Sequence, residues 1–261
     1  MTLHRLAMLG ALCITLVLPA RAQQPTGPAG WVQAEGYYHA VSNDFGDWKG
    51  LGLQLHAPVG SRTVWDLTGL VQEAFKDRGV WLGAGNRYQF HRDWFSYVAV
   101  GGGSGQYYLP DLRTDLTIGK SWLDRRNLVT MVSGTYVKAK RGYSDVAMQG
   151  SSVIYLPGVA IEAGGRINWS YPNAVSSGRG FAAVTIGRER HRVIVLRGSG
   201  GGEGYQLTGA GQTERLFTSW EGSIAWREWV SQRVGLVGRV EYYDNPFYAR
   251  TGLTLGVFRH W

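Results

Sequence analysis

Cysteine is nearly absent: the 261-residue chain has one, Cys13, inside an apolar N-terminal run. Leu12 stands where a lipidated cysteine would need a small residue before it. Disulfide frameworks and thiolate chemistry are therefore excluded for the rest of the chain. Heptads, amphipathic helices of useful length and apolar runs of about 18 residues are missing too, which excludes an inner-membrane helical protein. No composition shift or linker divides the chain after its first residues. No H-E-x-x-H, no calcium loop of alternating Asp and no His–carboxylate cluster at ligand spacing occurs, so no metal or other cofactor is expected. The glycine-rich stretch 198–204, GSGGGEG, is followed by YQLTGAG, which is no helix start. It therefore reads as a strand end and not as a phosphate-binding loop.

Glycine and aromatic residues are abundant instead, with 38 Gly, 11 Trp, 14 Tyr and 8 Phe. Helical domains of this size do not carry so much glycine, whereas twisted strands and membrane-interface girdles use both residue types. Residues 1–22 place His4 and Arg5 before an apolar run from Leu6 to Leu18, then Pro19 and Ala20-Arg21-Ala22. That is the pattern of a cleaved secretory signal peptide with an A-x-A site, leaving 23–261 as one domain that begins at Gln23. The run is too short for a spanning helix, which needs roughly 20 residues. Cleavage takes Arg5 and Arg21 and no acidic residue, so the formal charge falls from +8 to +6. In an exported chain that balance points to anionic lipopolysaccharide or acidic glycans and not to nucleic acid.

From Gln23 onward the sequence repeats a segment of alternating residues closed by a turn cluster. Fourteen such segments are legible: 31–41, 48–57, 62–75, 80–90, 95–108, 112–123, 128–140, 146–156, 159–171, 179–189, 192–205, 217–229, 233–243 and 250–261. In 159–171, Val159, Ile161, Ala163, Ile167 and Trp169 share one face, while Glu162, Arg166 and Asn168 share the other. Every second connection is short, as in PVGS at 58–61, DRRN at 124–127 and PG at 157–158. The opposite set includes SNDFGD at 42–47, PNAVSSGRG at 172–180 and TGAGQTERLF at 208–217. Short turns at one end and long loops at the other is the outer-membrane arrangement. The expected fold is all-β: a closed antiparallel transmembrane β-barrel of about fourteen strands, within two of that count, behind a signal peptide.

The last strand, RTGLTLGVFRHW, resembles the C-terminal assembly signal of bacterial outer-membrane barrels through Thr254, Gly256 and Trp261. Arg259 departs from the apolar residue that this pattern has two before its end. From about Leu109 onward, LPDLRTDLTIGKSWL, GTYVKAKRGYSDVAMQGSSVIYLPG and LRGSGGGEGYQL resemble the YaiO family of outer-membrane barrel proteins. That resemblance implies a Gram-negative outer-membrane location, assembly by the barrel-assembly machinery, and no catalytic residues to carry over. It also brings in envelope polysaccharide as a partner, since related domains occur behind helical repeats and beside envelope-polysaccharide genes.

Two sets of residues stand out as site candidates. Glu35, Asp66, Arg113, Asp115, Glu162, Arg166, Glu221, Arg227, Arg239 and Glu241 fall on the polar faces and are expected to line the lumen, with Tyr37, Tyr155 and Tyr243 among them. In hydrocarbon an Arg at the midplane would cost roughly 2–4 kcal/mol. Trp81, Trp122, Trp169, Trp220 and Trp226 are expected to face outward as interface-girdle residues. His39, near the outer rim with Ser42 and Asp44 after it, is the one histidine placed for chemistry on lipids. An H-x-x-S spacing, however, puts the pair on opposite faces of a continuing strand. The readings left open are a non-enzymatic barrel for passage or assembly of envelope polysaccharide or small solutes, a closed structural or adhesive barrel presenting outer loops, and a lipid-modifying hydrolase. A soluble exported β-protein is the fourth.

Overall fold

The computed structural model describes residues 30–205 and 215–261. The segment 1–22 expected as a signal peptide and most of the expected 208–217 loop lie outside the described residues. Fourteen strands close into one antiparallel barrel in which each pairs with its sequence neighbours and β1 pairs with β14. They are β1 (Trp31–Val41), β2 (Trp48–Val59), β3 (Thr63–Ala74), β4 (Asp77–His91), β5 (Trp94–Gly103), β6 (Leu112–Trp122) and β7 (Leu128–Lys138). The second half is β8 (Ser144–Leu156), β9 (Val159–Tyr171), β10 (Val175–Arg188), β11 (Arg192–Tyr205), β12 (Arg215–Trp229), β13 (Val234–Asp244) and β14 (Ala249–His260).

The burial pattern is inverted relative to a soluble domain. Leu51, Leu82 and Leu255 are 69%, 66% and 53% exposed, while Asp66 and Glu241 are buried. An exposed apolar band with polar residues inside is stable only where the outside is hydrocarbon. Closure also removes the unpaired edge that an open sheet would leave in lipid. At the closing seam, Gly256 lies opposite Glu35, and a Cβ there would meet the Ala34 carbonyl oxygen at 2.5 Å. Only glycine allows that approach.

The turns divide into two sets. At the end that holds Gly30 and Trp261 the connections are short, as at 60–62, 92–93, 157–158 and 189–191. This is the periplasmic end by the outer-membrane rule. The opposite end carries L1 (42–47), L2 (75–76), L3 (104–111), L4 (139–143), L5 (172–174) and L7 (245–248), with L6 between β11 and β12. L2 is a two-residue hairpin with positive φ at both Phe75 and Lys76. That matches the twist of the flanking strands at a backbone cost of roughly 1–3 kcal/mol per residue.

Three sequence boundaries are corrected. Segment 95–108 ends as a strand at Gly103, because the Asp77 carboxylate draws the backbone N–H groups of Gln106, Tyr107 and Tyr108 into a loop. The expected loop 172–180 shrinks to 172–174, because Val175, Ser176, Ser177 and Gly178 pair with Ser170, Trp169, Asn168 and Ile167. Backbone pairing needs no apolar side chain, so a Ser/Gly run reads as a loop and folds as a strand. Arg215 and Leu216 likewise belong to β12 and not to the preceding loop.

Candidate functional site: the barrel interior

Period two turns alternate residues of every strand inward, and the ladder registers say which ones. In β1, β2 and β3 they include Trp31, Gln33, Glu35, Tyr37, His39, Trp48, Gln54, His56, Asp66 and Gln72. Glu35 accepts hydrogen bonds from Gln33 at 2.8 Å and Gln54 at 3.5 Å. Asp66 sits 2.7 Å from His56 Nδ1, and Trp31 stacks on the His56 ring. Arg113 donates twice to Asp115, at 2.8 and 3.0 Å, and Thr135 donates to the same carboxylate at 2.8 Å. Bidentate charge-assisted pairs of this kind fix geometry as well as energy.

The remaining predicted charges also face inward. Glu162 lies 3.7 Å from Arg197, whose guanidinium covers the Phe181 ring. Glu241 takes Arg250 at 3.0 Å and has His39 at 3.6 Å. Arg166 stands directly opposite Arg179 in the β9–β10 ladder. Arg227 donates to Gln33 at 2.8 Å and lies over the rings of Phe258, Trp31 and Trp229 near the periplasmic end. Arg239 faces inward from β13 yet is exposed, and the Glu221 side chain keeps 37% of its surface. Solvent-sized space therefore adjoins both groups inside the barrel. Tyr37 and Tyr243 are inward as well, and Tyr155 pairs with Ala160 on the same face.

A network missed by the sequence reading runs along the inner wall of β10 to β13 around Arg179. It pairs with Glu203 and donates to Ser199 at 2.9 Å and Ser219 at 2.5 Å. Ser219 also donates to Glu203, which accepts from Tyr243 at 3.1 Å, and Asn245 donates to Tyr243 at 2.9 Å. The Ser/Gly run before Arg179 hid its face, and Arg250 sits at the start of a strand where alternation is short.

One side of the outer mouth is filled by aromatic residues. Trp48, Trp81, Tyr108 and Leu109 are buried together, with Tyr37, Leu70 and Phe75 against them. Phe217, Tyr243 and Tyr248 form an adjoining cluster with Phe45, Phe75 and Phe247. Loops L1, L2, L3 and L7 thus each contribute a side chain to one packed cluster. L3 is held at both ends: Asp77 accepts from Gln106 at 3.0 Å, Tyr107 at 2.8 Å and Tyr108 at 3.2 Å. Lys140 donates to the Gly103 carbonyl at 3.0 Å and pairs with Asp111.

Trp81 is the site residue that the structure corrects. It faces inward and is 6% exposed, because Gly101 and Gly103 opposite it leave space for the indole. Its neighbours Val80 and Leu82 face outward instead. Trp122 and Trp220 are exposed on the outer wall, Trp169 has the same outward parity, and Trp226 lies flat over Gly238. Thr254 and Gly256 face inward in β14, and the Trp261 indole packs on Gly30.

The His39 and Ser42 pair on which the hydrolase alternative rests is not brought together. His39 is buried against Tyr37 and Trp48 at ring distances of 5.0 and 6.0 Å. Ser42 Oγ instead accepts the Ala249 N–H at 2.9 Å in the turn. Among the described residues no group of three or more His, Cys, Asp or Glu side chains is placed to hold a metal ion.

A closed fourteen-strand barrel with an apolar exterior and a charged interior defines an integral outer-membrane β-barrel protein. The YaiO membrane beta barrel domain model matches residues 32–206, and the chain belongs to that family. The match begins in the first strand and so takes in the segments before Leu109 as well. No curated protein sequence matches the chain. Among solved structures it is similar to an outer-membrane channel from Pseudomonas putida F1, with TM-score 0.60 and 9% identity over 93% of this chain and 99% of that one. It is similar also to the CymD monoaromatic hydrocarbon channel, with TM-score 0.59 and 6% identity over 90% of this chain and 89% of that one. A bacterial polysaccharide outer membrane secretin gives TM-score 0.58 and 8% identity over 88% of this chain and 98% of that one. At these identities the likeness shows the fold alone.

Proposed function

We propose that this barrel is a non-enzymatic conduit for hydrophilic solutes or envelope polysaccharide. The observation that carries this reading is the interior wall: paired charges of both signs, with solvent-sized space around Arg239 and Glu221. Hydroxylated rings exchange hydrogen bonds with such a wall and stack on aromatic faces such as Tyr37 and Tyr155. Closed barrels of this strand number enclose an interior that water enters unless side chains fill it. Export through a cleaved leader at 1–22, and assembly through Thr254, Gly256 and Trp261, belong to the same reading. Deleting the gene should reduce surface polysaccharide or permeability to small sugars. Unchanged values for both, with the protein normally expressed in the parent strain, would refute it.

A second reading has one observation in its favour. The aromatic cluster at the outer mouth fits a closed structural barrel that presents its loops. Refolded barrel that conducts steadily would remove that reading.

A further inference from the structure

The positive charge of this protein is not spread over its surface. Facing the interior, the arginines described above are matched by as many carboxylates. At the long-loop end, Lys49, Lys76, Arg78, Lys138, Lys140, Arg141 and Arg215 stand against Asp44, Asp47, Glu73, Asp77, Asp111 and Asp244, an excess of one among the described residues. The larger surplus among the described residues lies at the short-turn end. Its turns carry the exposed Arg62, Arg92, Arg125, Arg126, Arg190 and Arg233. Lys120, Arg188, Arg192 and Arg259 add to these on the outward face of the last strand residues, against Asp93, Asp124, Glu189 and Glu228.

That ring meets the membrane at the depth of a headgroup. Lys120 is held between two outward indoles, with Nζ 3.5 Å from the Trp122 ring centre and 5.1 Å from that of Trp94. Tryptophan and snorkelling lysine together mark the interface between hydrocarbon and water. On the same rim, a groove in the outer wall is lined by Arg192, Ile194, Trp226, Glu228 and Leu236. Arg188 lies directly opposite Arg192 in the β10–β11 ladder, and like charges so placed repel. Glu228 is paired with Arg192, and Arg188 has no ion-pair partner among the described residues. Arg192 with its one carboxylate, and Arg188 with none, beside an apolar floor leave an anion site with a place for an acyl chain.

We propose that this rim binds anionic glycerophospholipid of the periplasmic leaflet, seated with its phosphate at Arg188 and Arg192 and an acyl chain along Ile194, Trp226 and Leu236. The end of the barrel decides between the two phosphate sources in this membrane. Lipopolysaccharide occupies the opposite leaflet, where the charges of the described residues nearly balance. The basic surplus at this rim therefore points to a phospholipid on the periplasmic face.

The full barrel, extracted from outer membranes in detergent, is titrated with phosphatidylglycerol, with phosphatidylethanolamine of the same acyl chains, and with lipid A, and bound lipid is counted by native mass spectrometry. Phosphatidylglycerol should bind tightest. Arg188→Ser should weaken it about fivefold, as expected for each arginine near a lipid surface. Arg233→Ser, in the turn joining the two strands that carry Trp226 and Leu236, should act in the same direction and guards against a misfolded first variant. Lys49→Ser with Arg78→Ser, at the other end, should leave it unchanged. Equal binding of the two phospholipids, an equal loss in the variant at the other end, or lipid A displacing phosphatidylglycerol from an Arg188-dependent site would each overturn the proposal.

Discussion

Replacing Asp77 by Ala should open the outer mouth. Its carboxylate takes the backbone N–H groups of Gln106, Tyr107 and Tyr108 at 3.0, 2.8 and 3.2 Å. Hydrogen bonds to a charged group contribute roughly 1.5–3 kcal/mol each, and water recovers part of that when a loop swings out. A net loss of about 3 kcal/mol for the folded-in loop is the reasonable scale for three partly exposed bonds. At about 1.4 kcal/mol per factor of ten, the open population of L3 would rise on the order of a hundredfold. Tyr108 and Leu109, now 5% and 2% exposed, would then leave the aromatic cluster. The assay is limited proteolysis of the folded barrel alongside single-channel recording. Cleavage within 104–111 and longer or larger openings should appear together in Asp77→Ala. Asp77→Asn, which keeps an acceptor oxygen without the charge, should fall between. A folded Asp77→Ala protein with unchanged cleavage and unchanged current would refute the reasoning that this carboxylate holds the loop in place.

Four further outcomes follow from the geometry. Gly256→Val should destabilise the β1–β14 seam by roughly 1–3 kcal/mol, as overpacking does, read as a lower temperature for loss of heat-modifiable gel mobility. Arg179→Ala should leave Glu203 without its guanidinium, costing about 2–3 kcal/mol in the same assay, since the pair is mostly but not wholly buried. Trp81→Ala should cost roughly 3–5 kcal/mol and raise conductance, whereas Trp122→Ala on the outer wall should leave conductance alone. Arg239→Glu should shift the reversal potential in a salt gradient toward cation selectivity, because that side chain adjoins open space inside the barrel.

Much of the fold is legible in the sequence because a strand with lipid on one side and water or protein on the other must alternate. The segments 31–41, 159–171 and 192–205 coincide with β1, β9 and β11. The inward parity of Glu35, Glu162 and Arg239 follows from the same period. Alternation fails where glycine or serine carries no contrast, which is why β10 begins earlier, and β5 ends sooner, than the pattern indicates. The pairings are another matter. Glu241 meets Arg250 across the β13–β14 ladder, and Arg179 meets Glu203 across β10 and β11. Parity gives the face of such residues but not the register that brings them together. The aromatic cluster was out of reach for a related reason, since Phe45, Phe75, Tyr108 and Tyr248 come from four loops far apart in the chain. Trp81 shows the hazard of reading residue type over phase: its neighbours Val80 and Leu82 mark the outward face, and the indole belongs to the other.

The most direct test of a polar, solute-passing interior is the current through single barrels refolded into a planar bilayer, recorded with and without added oligosaccharide. The account predicts stable openings that neutral sugars interrupt in a concentration-dependent way, and weaker interruption when Tyr155 is replaced by Ala. A barrel shown to be folded and inserted that carries no current, both in the native sequence and with Asp77→Ala, would contradict it.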